Sequence, residues 1–129
     1  SWIVTLIVGT QSLRDFYATE GARVAFENSA WTVLLEQKES SVTQLKECKH
    51  IELSPYKEKL LKSVKTYKGR FSEAMIIGGN GFAVGRLMLD RFSQLLYTTD
   101  PQEYGQIEKL RNTGMALEDA IEEIIKNEF

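Results

Sequence analysis

The residues best suited to chemistry are Thr10 and Gln11, which follow Gly9 at the end of an unbroken apolar run. Arg14 and Arg23 come soon after, and Arg86 far downstream. Glutamine can orient an attacking water, and arginine can stabilise charge on a transferring phosphoryl group. A run that is apolar without alternation, here residues 2–8, suits a central parallel strand covered on both faces. Open α/β sheets bind ligands beyond the carboxyl ends of such strands. Gln11 therefore stands where a sheet would present a side chain to a nucleotide or substrate. The plain alternative is a short turn capped by a polar side chain.

This set is half a site, because no phosphate cradle accompanies it. A Walker A loop needs Lys-Ser/Thr after its last glycine, to reach phosphate and magnesium. In the glycine cluster at 78–85, Gly81 is followed by Phe82 and Gly85 by Arg86. A dinucleotide fingerprint would lie between a strand and a helix, whereas this cluster lies between two predicted strands. Nucleophilic catalysis is disfavoured too, since one histidine, His50, and one cysteine, Cys48, share a lysine-rich connector. The same two residues provide neither a Cys/His metal cluster nor an internal disulfide, and they suit a reducing, cytosolic compartment.

The elements that must position these residues follow from composition and period. The chain has 129 residues, 43% apolar and 26% charged, with a formal net charge of -2. Such numbers fit one soluble domain and no global basic field for nucleic acid or acidic lipid. The opening apolar run is too short to span a bilayer and lacks the basic flank of a signal peptide. A chain that starts directly in a central-type strand reads as a piece of something longer.

After a loop or helical turn at 12–19, the spacing of Ala22, Ala25 and Phe26 predicts a helix over 20–28. The β-formers of 31–37 predict a second strand, so residues 1–37 read as a βαβ unit with a right-handed crossover. Residues 38–69 read as a helical connector. One helix starts at Ser40 or Ser41, and a second starts at Ser54-Pro55, a serine N-cap with proline at the first helical position. The stripe Tyr56, Leu60, Leu61 and Val64 carries that second helix towards Gly69, with Lys57, Lys59, Lys62, Lys65 and Lys68 on its other face. A basic face can dock phosphates or an acidic partner, but a charge run is more often a solvated face.

Residues 70–99 hold a hairpin, with strands over 71–77 and 82–89 joined at Asn80-Gly81, where both turn residues tolerate positive φ. A last short strand is expected at 95–99. Asp100-Pro101-Gln102-Glu103 reads as a capping box that opens a helix to about Asn112. With a final helix over 116–127 it makes a C-terminal helical hairpin at 100–129. The class is α/β.

Several stretches resemble one family in sequence order. They are G-T-Q-S-L-R-D-F-Y, A-R-V-A-F-E-N-S-A-W, F-S-E-A-M-I-I-G-G, G-R-L-M-L-D-R-F-S-Q-L-L-Y-T-T-D-P-Q-E-Y and R-N-T-G-M-A-L-E-D-A-I. Together they resemble the C-terminal part of the TraC family, the conjugative-transfer ATPases of type IV secretion systems. The resemblance covers essentially the whole chain. It implies the last part of a RecA-like P-loop ATPase domain, whose Walker A and Walker B motifs lie upstream. It implies that Gln11 senses the γ-phosphate or positions the attacking water, with Thr10 beside it at the cofactor-binding strand end, and that Arg23 and Arg86 occupy recurring positions, Gln11 and Arg23 being the candidate catalytic groups.

ATP and Mg2+ would belong to the parent protein and not to this piece alone. The partners implied are other subunits of the same ATPase and secretion-system components, at the cytoplasmic side of the inner membrane. Direct contact with nucleic acid is not expected. Unpaired apolar strands at 2–8 or 31–35 would favour self-association. The alternative is a non-catalytic α/β module docking through the lysine-rich helix, and nucleic-acid binding by that helix is a third possibility.

Overall fold

Alternation of apolar residues on either side of Asn80-Gly81 builds a β-hairpin, and the other strands collect on it. In the computed structural model, which describes residues 5–47 and 51–129, β1 spans Trp31–Leu34, β2 Thr66–Tyr67, β3 Phe71–Gly78 and β4 Gly81–Leu87. β3 pairs with all three others in a four-stranded sheet. The helices are α1 (Leu13–Tyr17), α2 (Glu20–Glu27), α3 (Glu39–Glu47), α4 (Pro55–Ser63), α5 (Arg91–Leu96), α6 (Pro101–Arg111) and α7 (Leu117–Asn127). The chain divides into two compact units, Ser1–Thr66 with Ser72–Arg86, and Tyr67–Phe71 with Leu87–Phe129.

In the first unit, β1 runs antiparallel to β3, with Trp31 opposite Gly78 and Leu34 opposite Met75. One face of the sheet holds the core. Met75 and Leu61 are buried with Phe26, Val42, Leu45 and Val64, and Leu34, Ile77 and Phe82 pack against them. Helices α2, α3 and α4 supply most of the opposing side chains. Each helix has a simple start: Thr19 caps α2 by accepting from Ala22 N–H, and Ser54 caps α4 by accepting from Lys57 N–H.

The expected parallel βαβ unit is not what these residues form. Residues 5–10 form no strand, with Leu6 and Ile7 exposed, and the β1–β3 pairing is antiparallel. Val8 to Gln11 lie close to β1, lining one pocket with Trp31–Leu35, without forming a ladder with it. Residues 2–4 of the opening run lie outside the described residues.

Helix α4 ends earlier than its apolar stripe suggests, at Ser63. Val64 remains buried but turns extended. The next two amides leave the helix because carboxylates take them: Lys65 N–H donates to Glu73 at 3.1 Å, and Thr66 N–H donates to Glu36 at 2.9 Å. Lys65 and Lys68 are therefore not on the helix. Gly69, with φ at 75°, serves the turn between β2 and β3, where Arg70 N–H bonds Tyr67 C=O. Helix α3 begins at Glu39, ahead of both serines that were candidate caps.

The hairpin turn also departs in one respect. Among the described residues, none other than glycine has positive φ, so Asn80 stays in an ordinary region and, of the two turn residues, Gly81 at 143° takes the unusual conformation. Gly78 is required for a different reason. A Cβ there would lie 2.5 Å from Trp31 Cζ3, because the indole lies flat on that strand position.

In the second unit, Leu95, Ile107, Ala120, Ile121 and Ile124 make a separate core. The strand expected at 95–99 is not formed. Asp90 caps α5 instead, accepting from Ser93 N–H and from the Ser93 hydroxyl, and Leu95 is buried on that helix. Asp100 caps α6 through Gln102 and Glu103 N–H groups. The capping box is modified. Glu103 accepts from the Thr98 hydroxyl and faces Arg91, while Asp100 N–H donates to Thr98 Oγ1. Among the described residues, no helix is long and apolar enough to cross a membrane.

Truncating either core should be costly. Met75→Ala and Ile121→Ala, both at fully buried positions, should each lower stability by about 2–5 kcal/mol. Urea denaturation followed by circular dichroism measures this, and losses under about 1 kcal/mol at both sites would contradict these packing assignments.

Candidate functional site

Thr10 is engaged locally. Its hydroxyl lies 3.1 Å from Ser12 C=O, accepts from Ser12 N–H at 3.2 Å and meets the Asp15 carboxylate. Ser12 in turn caps α1 by accepting from Arg14 N–H. These bonds fix the backbone from Gly9 into α1 and hold Gln11 between them. The Gln11 side chain is exposed and borders a pocket of about 370 Å³ lined by Val8, Thr10, Phe16, Phe26 and Trp31 among others. Phe16 stacks on Phe26 at 4.7 Å between ring centroids, which makes one wall apolar. Among the described residues no lysine or arginine lines this pocket, so they build no cationic cradle for phosphate.

The three candidate arginines lie outside this lining. Arg23 sits half-exposed on α2, with Nε 4.0 Å from Glu27 Oε1 one turn along the same helix. An exposed pair at that distance contributes little to stability and leaves the guanidinium within reach of solvent. Arg86 is committed to the strand. Its guanidinium bonds Glu73 at 2.8 Å, and Glu73 is held well below the usual carboxylate range, first by that bond and then by Lys65 N–H. Thus the structure brings Thr10 and Gln11 to one pocket but does not bring Arg14, Arg23 or Arg86 to it.

On α4 itself, Lys62 is paired with carboxylates, and neighbouring lysines on α3 and after α4 are paired as well. Lys62 reaches Glu39 at 3.1 Å and Glu58 at 3.2 Å, and Lys46 reaches Glu58 at 2.8 Å. Lys65 pairs with Glu36 at 3.1 Å. Lys57 lies over the Phe82 ring, 5.0 Å from its centroid. The two carboxylate partners of Lys62 raise its pKa, with Glu39 the larger influence. An open groove of about 720 Å³ runs along Glu36, Gln37, Lys38, Glu39, Lys62 and Lys65. Its charges are mixed, with Lys62 and Lys65 paired to Glu39 and Glu36, which suits a solvated surface more than a phosphate track.

Glu36 was not singled out by sequence, although it takes both the Lys65 ammonium and the Thr66 N–H. Nothing in the local pattern marks it, because its partners lie 29 and 30 residues away. In the second unit, Arg91 carries the most extensive polar contact. Its guanidinium forks onto Glu128 at 2.6–3.1 Å and also meets Glu103 at 3.1 Å. It joins the start of α5 to the end of α7 and to α6. Lys68 pairs with Asp100, the α6 cap.

Among the described residues, no group of three or more His, Cys, Asp or Glu could hold a metal ion. His50 and Cys48 lie outside the described residues. Comparison with models of protein families, with curated proteins and with solved structures finds no match. The family resemblance rests on the sequence motifs.

The carboxylates yield an acid-sensitivity prediction. Glu128 is held low chiefly by Arg91, Glu36 chiefly by the Thr66 N–H and Asp100 chiefly by Lys68. A carboxylate lowered on folding contributes stability above its unfolded value, and that contribution is lost as pH falls through the folded value. Melting temperature should therefore stay level down to the ordinary glutamate value of 4.5 and fall below it. Glu128→Gln should flatten the acid fall in thermal melts. An acid profile identical to wild type would remove Glu128 from this account.

Proposed function

We propose that the chain is the C-terminal part of a type IV secretion ATPase of the TraC kind, adding a γ-phosphate-sensing segment to a nucleotide site whose Walker A and B motifs lie elsewhere. The observation that carries this reading is the ordered set of motifs from G-T-Q-S-L-R-D-F-Y to R-N-T-G-M-A-L-E-D-A-I, spread over the whole chain. The local geometry is compatible with it. Gln11 is exposed at the end of an apolar segment, and Thr10 and Ser12 brace the backbone beside it. In this reading the apolar segment ahead of Gly9 is a strand of a RecA-like sheet completed by upstream strands. Gln11 then orients the attacking water, which is a positioning task requiring a free amide and a fixed backbone.

Arg23, on an exposed helix face with only a long contact to Glu27, is available to stabilise charge at a nucleotide held by another subunit. Arg86 has a structural assignment instead, since Glu73 holds it. ATP and Mg2+ belong to the assembled ATPase, and its partners are further subunits and secretion components at the cytoplasmic face of the inner membrane. The carboxylate partners of Lys46, Lys62 and Lys65 weigh against both alternatives, docking through a basic face and binding of nucleic acid.

Two measurements test the reading. Calorimetry on the 129-residue chain with Mg-ATP should show no micromolar binding, because the cradle is absent. In the ATPase that contains this chain, Gln11→Ala should lower turnover by about a hundredfold while leaving nucleotide affinity within about twofold. Loss of affinity with normal turnover per bound nucleotide would overturn the sensor assignment.

A further inference from the structure

The carboxamide of Gln11 is exposed and makes no hydrogen bond among the described residues. Where it points is therefore decided by the backbone that carries it, and that backbone is held from both sides. Asp15 supplies both holds. Its N–H donates to Ser12 C=O at 3.0 Å, and its carboxylate meets the Thr10 hydroxyl. That hydroxyl has one proton and two acceptors in range, since Ser12 C=O lies 3.1 Å away. The carboxylate takes the proton, because a charged acceptor makes the stronger bond, and Ser12 C=O already has the Asp15 N–H. The hydroxyl oxygen is left to accept from Ser12 N–H at 3.2 Å.

The local sequence alone would build something simpler. Ser12-Leu13-Arg14-Asp15 has the spacing of a capping box, in which the acid turns back to the N–H of the capping serine. Ser12 Oγ does cap α1 through Arg14 N–H, but Ser12 N–H goes to Thr10 and the acid is spent on Thr10 as well. The helix that carries Asp15 is itself fixed. Leu13 and Phe16 pack against the buried core, and Phe16 stacks on Phe26 at 4.7 Å. A path of contacts thus runs from the core through α1 and Asp15 to both neighbours of Gln11.

We propose that Asp15 is the positioning residue of the candidate site, holding Thr10 and Ser12 so that the Gln11 carboxamide is presented at a fixed angle. It touches neither nucleotide nor water itself. An orienting amide works only within narrow limits of place, and a shift of about 1 Å costs up to about a hundredfold in rate. Side chains that lock the backbone beside such a group keep it within those limits. The inference rests on the ATPase reading for what Gln11 does, and on the bonds of this turn for how Gln11 is held. The plain alternative is a first-turn acid that steadies α1 through the helix dipole. In that role Thr10 would be irrelevant.

Backbone relaxation by NMR on the 129-residue chain tests the hold. The Gln11 amide should have an order parameter of about 0.85 in wild type and below about 0.6 in Asp15→Ala. Thr10→Val should give the same loss, and the double variant no more than either single one. Asp15→Asn, which keeps an acceptor, should lose less. Circular dichroism close to wild type establishes that the variants fold. A Gln11 that is mobile in wild type, or rigid in Asp15→Ala, overturns the inference. So does order lost in Asp15→Ala but kept in Thr10→Val, which would leave Asp15 to the helix alone. In the ATPase that contains this chain, Asp15→Ala should lower kcat about tenfold with KM within about twofold. It should cost nothing further in a Gln11→Ala background. Turnover that survives Gln11→Ala sinks the sensor reading itself. Turnover lost in Gln11→Ala but kept in Asp15→Ala sinks only the positioning role.

Discussion

The strand β3 is the constraint on which the first unit depends. All three other strands pair with it, and its period of two divides everything around it. Met75 and Ile77 look towards α2, α3 and α4, while Ala74 and Ile76 look away. Burial of Met75 therefore fixes the register of β1 and β4 as well, since a slip of one residue would exchange core and surface on the whole strand. Glu73, in phase with the core residues but near the end of the strand, uses that position for polar work. It holds Arg86 on β4 and the Lys65 amide ahead of β2. One strand thus supplies a hydrophobic register and a polar lock at its end.

The second unit is organised by a helix end instead of a strand. Arg91 opens α5 and reaches both Glu128 after α7 and Glu103 in the first turn of α6. A planar guanidinium suits this, because its fork can satisfy two carboxylates at once. Beneath it Leu95, Ile107 and Ile121 provide the apolar packing. The arginine is only partly buried, so its contribution is geometric as much as energetic: it fixes how three helix ends meet.

What the sequence made legible were features encoded within a few residues. The hairpin around Asn80-Gly81, the Ser54-Pro55 start and the Asp100-Pro101 start are all local chemistry, and each is present. What it hid were decisions taken by distant groups. The apolar spacing of 56–64 continues smoothly, yet α4 stops because Glu36 and Glu73 capture the next amides. Residues 95–99 have β-forming side chains, yet the Asp90 cap and the burial of Leu95 against Ile107 and Ile121 make part of them helical. The candidate site was half legible for the same reason. Thr10 and Gln11 are adjacent in sequence and share a pocket, whereas nothing local could show that Arg86 would be taken by Glu73.

Trp31, Val33 and Ile76, exposed on the sheet, and the Gln11 segment pose one physical question, namely what an apolar surface does when its own chain leaves it open. Exposed apolar area is unfavourable in water in proportion to its size. Leu6 and Ile7 ahead of Gln11 are in the same condition as Trp31 and Val33, but the two surfaces differ in order. The residues of 5–10 form no helix or strand, and Thr10 ties the end of the segment to Ser12. The β1–β3–β4 face is already rigid, held by ladder bonds and by Met75 beneath it, so covering it costs only the loss of side-chain and rigid-body freedom. On that comparison the sheet face has its backbone held by ladder bonds along β3, whereas the segment before Gln11 belongs to no ladder among the described residues.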